Sequence, residues 1–169
     1  MHVTFWWLSC PLFIIAGSTG SQGSKGPPGT PYSPSSQSVF VAFRTTNLEL
    51  TLGAMPFDDA KINIGSDYNP TTGVFTCRTP GLYHFAYNLI PYTTGSYVDA
   101  CLQHNGVCVG FVYTSGGTSA YSAYTSVSYS IILELNKGDE VYIYVYGNSY
   151  IGGNTDGGSS FNGYLIHEK

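Results

Sequence analysis

Asn105-Gly106 sits between two strand-like runs, YVDACLQH (97–104) and VCVGFVY (107–113). Both residues tolerate positive φ, so the pair forms the tight two-residue turn whose twist matches an antiparallel hairpin. A turn of this kind pairs His104 with Val107 and Gln103 with Cys108, which places Cys101 diagonal to Cys108 on one face. Diagonal neighbours lie ~7–8 Å apart at Cα, slightly beyond disulfide reach. A Cys101–Cys108 bridge therefore needs a bulge or another turn, and both outcomes stay open.

The same cadence of short strands and turn residues runs through the rest of the chain. VFVAFR (39–44) is apolar and β-branched, KINIG (61–65) alternates, and VFTC (74–77) follows the turn NPTTG. GLYHFAYNLIPY (81–92) alternates with Tyr83, Phe85, Tyr87 and Leu89 on one face. SAYTSVSYSIILEL (122–135) is a long strand candidate, closed by the polar turn NKGDE. In VYIYVYG (141–147), Val141, Ile143 and Val145 face one way and Tyr142, Tyr144 and Tyr146 the other, so both faces are expected to be covered. The GGNTDGGSS run (152–160) is a loop, and FNGYLIH (161–167) is the last strand. No stretch carries a helical period with caps. Fifteen tyrosines and 21 glycines suit amphipathic strands and tight turns. The expected class is all-β, a two-sheet jelly roll.

Upstream the chain changes character. MHVTFWWLSCPLFIIAGSTG has an apolar run from Phe5 to Ile15, short for a bilayer span and followed by small residues, which reads as a signal peptide over 1–20. No membrane span is expected after its removal. Cleavage near Ser18 or Gly20 removes Cys10 and leaves an odd set, Cys77, Cys101 and Cys108. Glycine then recurs at 20, 23, 26 and 29 with proline between, the collagen triplet pattern. Four triplets make a rod of roughly 36 Å, too short to hold three chains alone. Residues 20–37 are therefore read as a collagen-like stub and linker, and 38–169 as a globular domain.

The block FDDAKINIGSDYNPTTGVFTCRTPGLYHFAYNL (57–89), with SFNGYLI (160–166) and LELNKGDEVYIYVYG (133–147), resembles the globular domain of complement C1q and adiponectin-like proteins. The matching positions run through Phe57, Asn63, Tyr68, Gly73, Phe75, Gly81, Tyr83, Phe85, Tyr87, Phe161, Gly163 and Ile166. The resemblance implies a ten-stranded jelly roll like tumour necrosis factor, assembled as a homotrimer, with Tyr83, Phe161 and Ile166 in the core. It also implies that Cys77 is a buried free thiol. The heads, not the stub, would then hold the chains together.

Charged residues are only 9% of the chain, and its six Lys and Arg are scattered, which argues against nucleic acid as a partner. His84, His104 and His167 fall on separate strands, and no HExxH, GxSxG or CxxC occurs, so no enzyme is expected. Asp58-Asp59 fall in a turn, where paired carboxylates are solvated. Some relatives of this kind bind calcium after the hairpin. Here the loop YTSGGTSAYSAY (113–124) has no carboxylate, and Asp156 adds one oxygen, so a weak calcium site is the only cofactor left open. The exposed tips are the ligand candidates: Tyr113, Thr114, Ser115 and Tyr121 in one, Tyr150, Asn154 and Asp156 in the other. Their Tyr, Ser, Gly and Asn content suits adaptable polar contact. The expectation is a secreted, extracellular trimer of innate immunity that binds microbial or altered-cell surface ligands, whether glycan, lipid or protein. The rivals are a soluble ligand for a cell-surface receptor and an extracellular scaffold.

Overall fold

The structure, a computed structural model, describes residues 18–28, 37–92, 97–115, 125–154 and 157–169. The expected signal peptide lies almost wholly outside the described residues. The chain divides into two units, residues 1–32 and 33–169. In the first, residues 18–28 are exposed and form no regular element.

The second unit is all-β, as the alternating runs require. Its described residues form thirteen strand segments, five of only two or three residues. These are β1 (Val39–Phe43), β2 (Leu48–Leu50), β3 (Gly53–Ala54), β4 (Asp59–Ile64), β5 (Tyr68–Asn69), β6 (Val74–Thr76) and β7 (Gly81–Leu89), then β8 (Tyr97–His104), β9 (Val107–Ser115), β10 (Val127–Leu135), β11 (Glu140–Val145), β12 (Ser149–Ile151) and β13 (Ser160–Glu168). One sheet runs β10-β7-β13-β1-β4. The other runs β5-β6-β11-β8-β9, with β3 also on β11, and β12 pairs β2 separately. Every pairing is antiparallel.

The core lies between the sheets. Phe40, Tyr83, Phe85 and Phe161 enter from the first, and Phe75, Leu102, Val141 and Ile143 from the second. Phe75 bridges the layers, 5.2 Å from the Phe85 ring and 5.6 Å from Phe40. Buried tyrosines keep their hydroxyls satisfied, as burial of a polar atom demands. Tyr83 donates to the Thr79 carbonyl at 2.6 Å, and Tyr87 reaches across to the Gly110 carbonyl at 2.8 Å. Tyr68 accepts from the Phe57 amide at 3.0 Å, while Asn63 clamps the Tyr68 carbonyl at 2.8 Å. Gly163 is required by packing: a Cβ there would stand 2.6 Å from the Phe85 ring and 2.7 Å from Phe40. Gly73 adopts φ +78°, and a Cβ there would run into the Met55 carbonyl.

Two expectations are refined by bulges. Asn105 and Gly106 both take positive φ, and His104 pairs Val107. The register then shifts between Leu102 and Gln103, so that Val109 is the extra residue. That bulge draws Cys101 and Cys108 to 5.8 Å at Cα, and a disulfide joins them. Cys77 is buried and free, its thiol pushed up by burial. Ile166, expected in the core, is instead 47% exposed. The β13–β7 register shifts between Leu165 and His167, leaving Ile166 as the unpaired residue and turning it outward.

Candidate functional site

The strand directions sort the connections to two ends. At one end lie the start of β1, the 105–106 turn, the 136–139 turn and the C-terminus. The Asp139 carboxylate organises this end: it accepts from Asn105 Nδ2 at 2.9 Å and from the Asn136 amide at 2.8 Å, and it pairs with His104 at 3.1 Å. The Asn105 bond first, with the Asn136 amide, holds its carboxyl below the usual value.

At the opposite end the chain leaves β1, β7, β9 and β11. Hydrogen bonds knit these loops together: the Arg44 amide to Ser159 O at 2.9 Å, the Asn154 amide to Arg44 O at 3.1 Å, and the Ile90 amide to the Ser159 hydroxyl at 3.0 Å. Asp58, read from the sequence as a solvated turn residue, ties the 44–58 loop to this framework through Arg44 at 3.1 Å and through both the amide and hydroxyl of Thr45.

The structure sorts the expected ligand residues. Tyr150 packs edge-on to Tyr92 at 5.8 Å and sits opposite Glu49 across β12–β2, the carboxylate pushing its phenol upward. Asn154 lines a depression of about 310 Å³ with Asn47, Tyr92, Ser126 and Gly152. Tyr113 is 58% exposed on β9. Thr114 is not part of the exposed tip: strand alternation turns it inward, opposite Val98, where it is buried. Ser115 closes β9 opposite Tyr97. Tyr121 and Asp156 lie outside the described residues.

A second surface escaped the sequence reading. On the outward face of the first sheet, the registers align Ile132, His84, Tyr164, Val39 and Ile64 in one continuous row across all five strands. Ile132 is 57% and Tyr164 45% exposed. The His84 ring lies 5.2 Å from Tyr164, and its Nδ1 is buried without a hydrogen-bond partner. The next row, Ser130, Ala86, Asn162, Val41 and Ile62, is part polar. The row after it, Ser128, Asn88, Ser160, Phe43 and Asp59, is mostly so. The apolar row thus lies between a row with charged and polar ends at the C-terminal edge, Glu134, Leu82 and His167, and hydrogen-bonding rows toward the loop end. The signal was present in the sequence as outward isoleucines, but only the pairing order assembles it.

Known proteins share this architecture. The solved globular domain of zebrafish complement 1qA superposes with a TM-score of 0.61 at 23% identity, covering 78% of this chain and 99% of that one. Murine APRIL superposes at 0.59 with 10% identity, covering 77% and 99%. In sequence, a complement C1q subcomponent of Rattus norvegicus is 33% identical over 136 residues, which is 77% of this chain and 51% of the relative. Complement C1q tumor necrosis factor-related protein 5 of Rattus norvegicus is 29% identical over 115 residues (67% and 46%), and collagen alpha-1(X) of Mus musculus 29% over 120 (66% and 16%). The chain spans about half or less of the length of these curated relatives. The C1q domain profile matches residues 39–166, and the chain belongs to the C1q-domain family.

Proposed function

We propose that this chain is a secreted C1q-domain protein whose heads assemble as a homotrimer and bind surface ligands of microbes or altered cells through their loop ends. In this reading residues 1–20 are a signal peptide and 20–37 a collagen-like stub. The role is binding, not catalysis. The observation that carries it is the exposed row Ile132–His84–Tyr164–Val39–Ile64. A continuous apolar band across a sheet needs a covering partner, and a second and third copy of the same face supply one with closed symmetry. Assembly leaves three loop ends, each with Tyr92, Tyr150 and Asn154, displayed together. Three weak contacts then act as one strong one through high effective concentration.

The test is sizing of the secreted protein under native conditions, followed by binding of the purified species to lipopolysaccharide, peptidoglycan and whole bacteria. The expected result is a trimer whose binding is lost in the combined Tyr92→Ala, Tyr150→Ala and Asn154→Ala variant. Saturable binding to host cells with none to microbes would replace this reading with that of a soluble receptor ligand. A monomer at high concentration would overturn it.

A further inference from the structure

The outward face of the second sheet is built differently. Its rows run Tyr146–Asp99–Tyr113, then Tyr144–Cys101–Phe111, then Tyr142–Gln103–Cys108 across β11, β8 and β9. Tyr97 precedes Asp99 on the same face by strand alternation. Rings of the tyrosine series stand 6.4 Å and 5.0 Å apart along β11. Phe111 is 55% exposed, and Tyr113 beside it is exposed as well. A carboxylate therefore stands in register between two tyrosines, in a surface of aromatic rings and a disulfide.

That carboxylate lacks a counterpart. Asp99 Oδ1 is buried and accepts no hydrogen bond. The strands of this sheet contain Asp99 and Glu140 but no lysine or arginine. Burial alone acts on the Asp99 carboxyl, raising it, and no neighbouring charge offsets the cost. A half-buried acid without a donor is expensive to keep, and aromatic faces around it attract cations.

We propose that the tyrosine face around Asp99 is a docking site for an arginine side chain of a partner protein. The guanidinium group answers both features. Its charge meets the half-buried Asp99 carboxylate that no cation of this sheet neutralises, its N–H groups donate to the part of that carboxylate open to solvent, and its flat face stacks on tyrosine. An ammonium offers a point charge with no face to stack. The site lies on the sheet opposite to the apolar row, so it does not depend on how the heads assemble, nor on what the loop ends bind.

The experiment titrates the full secreted chain with acetyl-Gly-Arg-Gly-amide, following amide shifts of residues 97–101, 111–113 and 144–146 by NMR. Matched peptides carry lysine or citrulline in place of arginine. Saturable shifts with arginine are expected, weaker ones with lysine and none with citrulline, which keeps the shape and loses the charge. Asp99→Asn is expected to bind at least ~10-fold more weakly, the scale of one hydrogen bond to a charged group. Tyr113→Ala changes an exposed side chain and leaves the core alone; a several-fold loss is expected. Equal binding of citrulline and arginine, or unchanged binding by Asp99→Asn or Tyr113→Ala, would overturn the proposal.

Discussion

The two outward faces of this sandwich share one core and the same strand alternation, yet they carry opposite chemistries. The first sheet turns out a row of isoleucine, valine and one tyrosine around His84. The second turns out tyrosines around a carboxylate and a disulfide. Isoleucine has no polar tip, so its exposure carries the full hydrophobic cost until a partner covers it. Tyrosine keeps its hydroxyl in water or on a neighbour, as Tyr146 does by accepting from Gln103 Nε2 at 2.8 Å. The first face is suited to permanent closure and the second to reversible contact.

The sharpest way to break that contrast is a charge on each face. Ile132→Lys would place three unpaired ammonium groups in the proposed trimer contacts. At several kcal/mol per buried ion the total is roughly 10 kcal/mol against association. The expected outcome is a folded monomer by sedimentation with unchanged near-ultraviolet circular dichroism. Tyr144→Lys on the other face should sediment like the wild type. If both variants dissociate, or neither does, the division of labour is wrong.

Next in size is the core behind both faces. Phe161 contacts the rings of Phe40 at 4.9 Å and Phe57 at 5.8 Å. Phe161→Ala should cost ~3–5 kcal/mol, as large core deletions do, read from the denaturant midpoint. A cost near zero would mean that the two sheets do not share this cluster as a single support.

The disulfide is a feature of the aromatic face alone. Cys101 and Cys108 are seven residues apart, and closing so short a loop is worth ~2–3 kcal/mol in the chain-entropy account. Cys101→Ala with Cys108→Ala should lower the denaturant midpoint by that amount while the proposed trimer persists in sizing. Dissociation in this variant would tie the two faces together and remove their independence.

What the sequence discloses of these faces depends on range. Strand identity is local: alternation in 81–89 and 141–146, and positive φ at Asn105-Gly106, can be read directly. Bulges are not local. The extra residue at Val109 decides the disulfide, with only the in-strand Gly110 beside it as a sign, and the one at Ile166 turns an expected core side chain to solvent with no glycine beside it. The apolar row is hidden for a related reason. Its five members come from strands that are not consecutive, and outward isoleucines look unremarkable until β13 is known to lie between β7 and β1. Composition marks out the loop tips, but strand parity removes Thr114 from them.

The smallest expected effect separates two aspartates, one near each end of β8, by the sign of their pH dependence. Hydrogen bonds from Asn105 and Asn136 hold the Asp139 carboxyl below its usual 3.8. A depressed native value contributes stability above the unfolded value, and that stability is lost as pH falls below 3.8 through the native value. Burial raises Asp99 above the same 3.8. Between those two values the native state holds the proton longer than the unfolded chain, so stability declines as pH rises through that interval. Asp139→Asn should therefore lower the neutral-pH denaturant midpoint and flatten its acid decline. Asp99→Asn should leave the neutral midpoint unchanged or raise it, because an ionised and unpartnered carboxylate has been removed. Midpoints measured from pH 7 to pH 3 for both variants distinguish the cases. A drop for Asp99→Asn equal to that for Asp139→Asn would mean that Asp99 already has a partner within the head, and the vacancy argued for the tyrosine face would be gone.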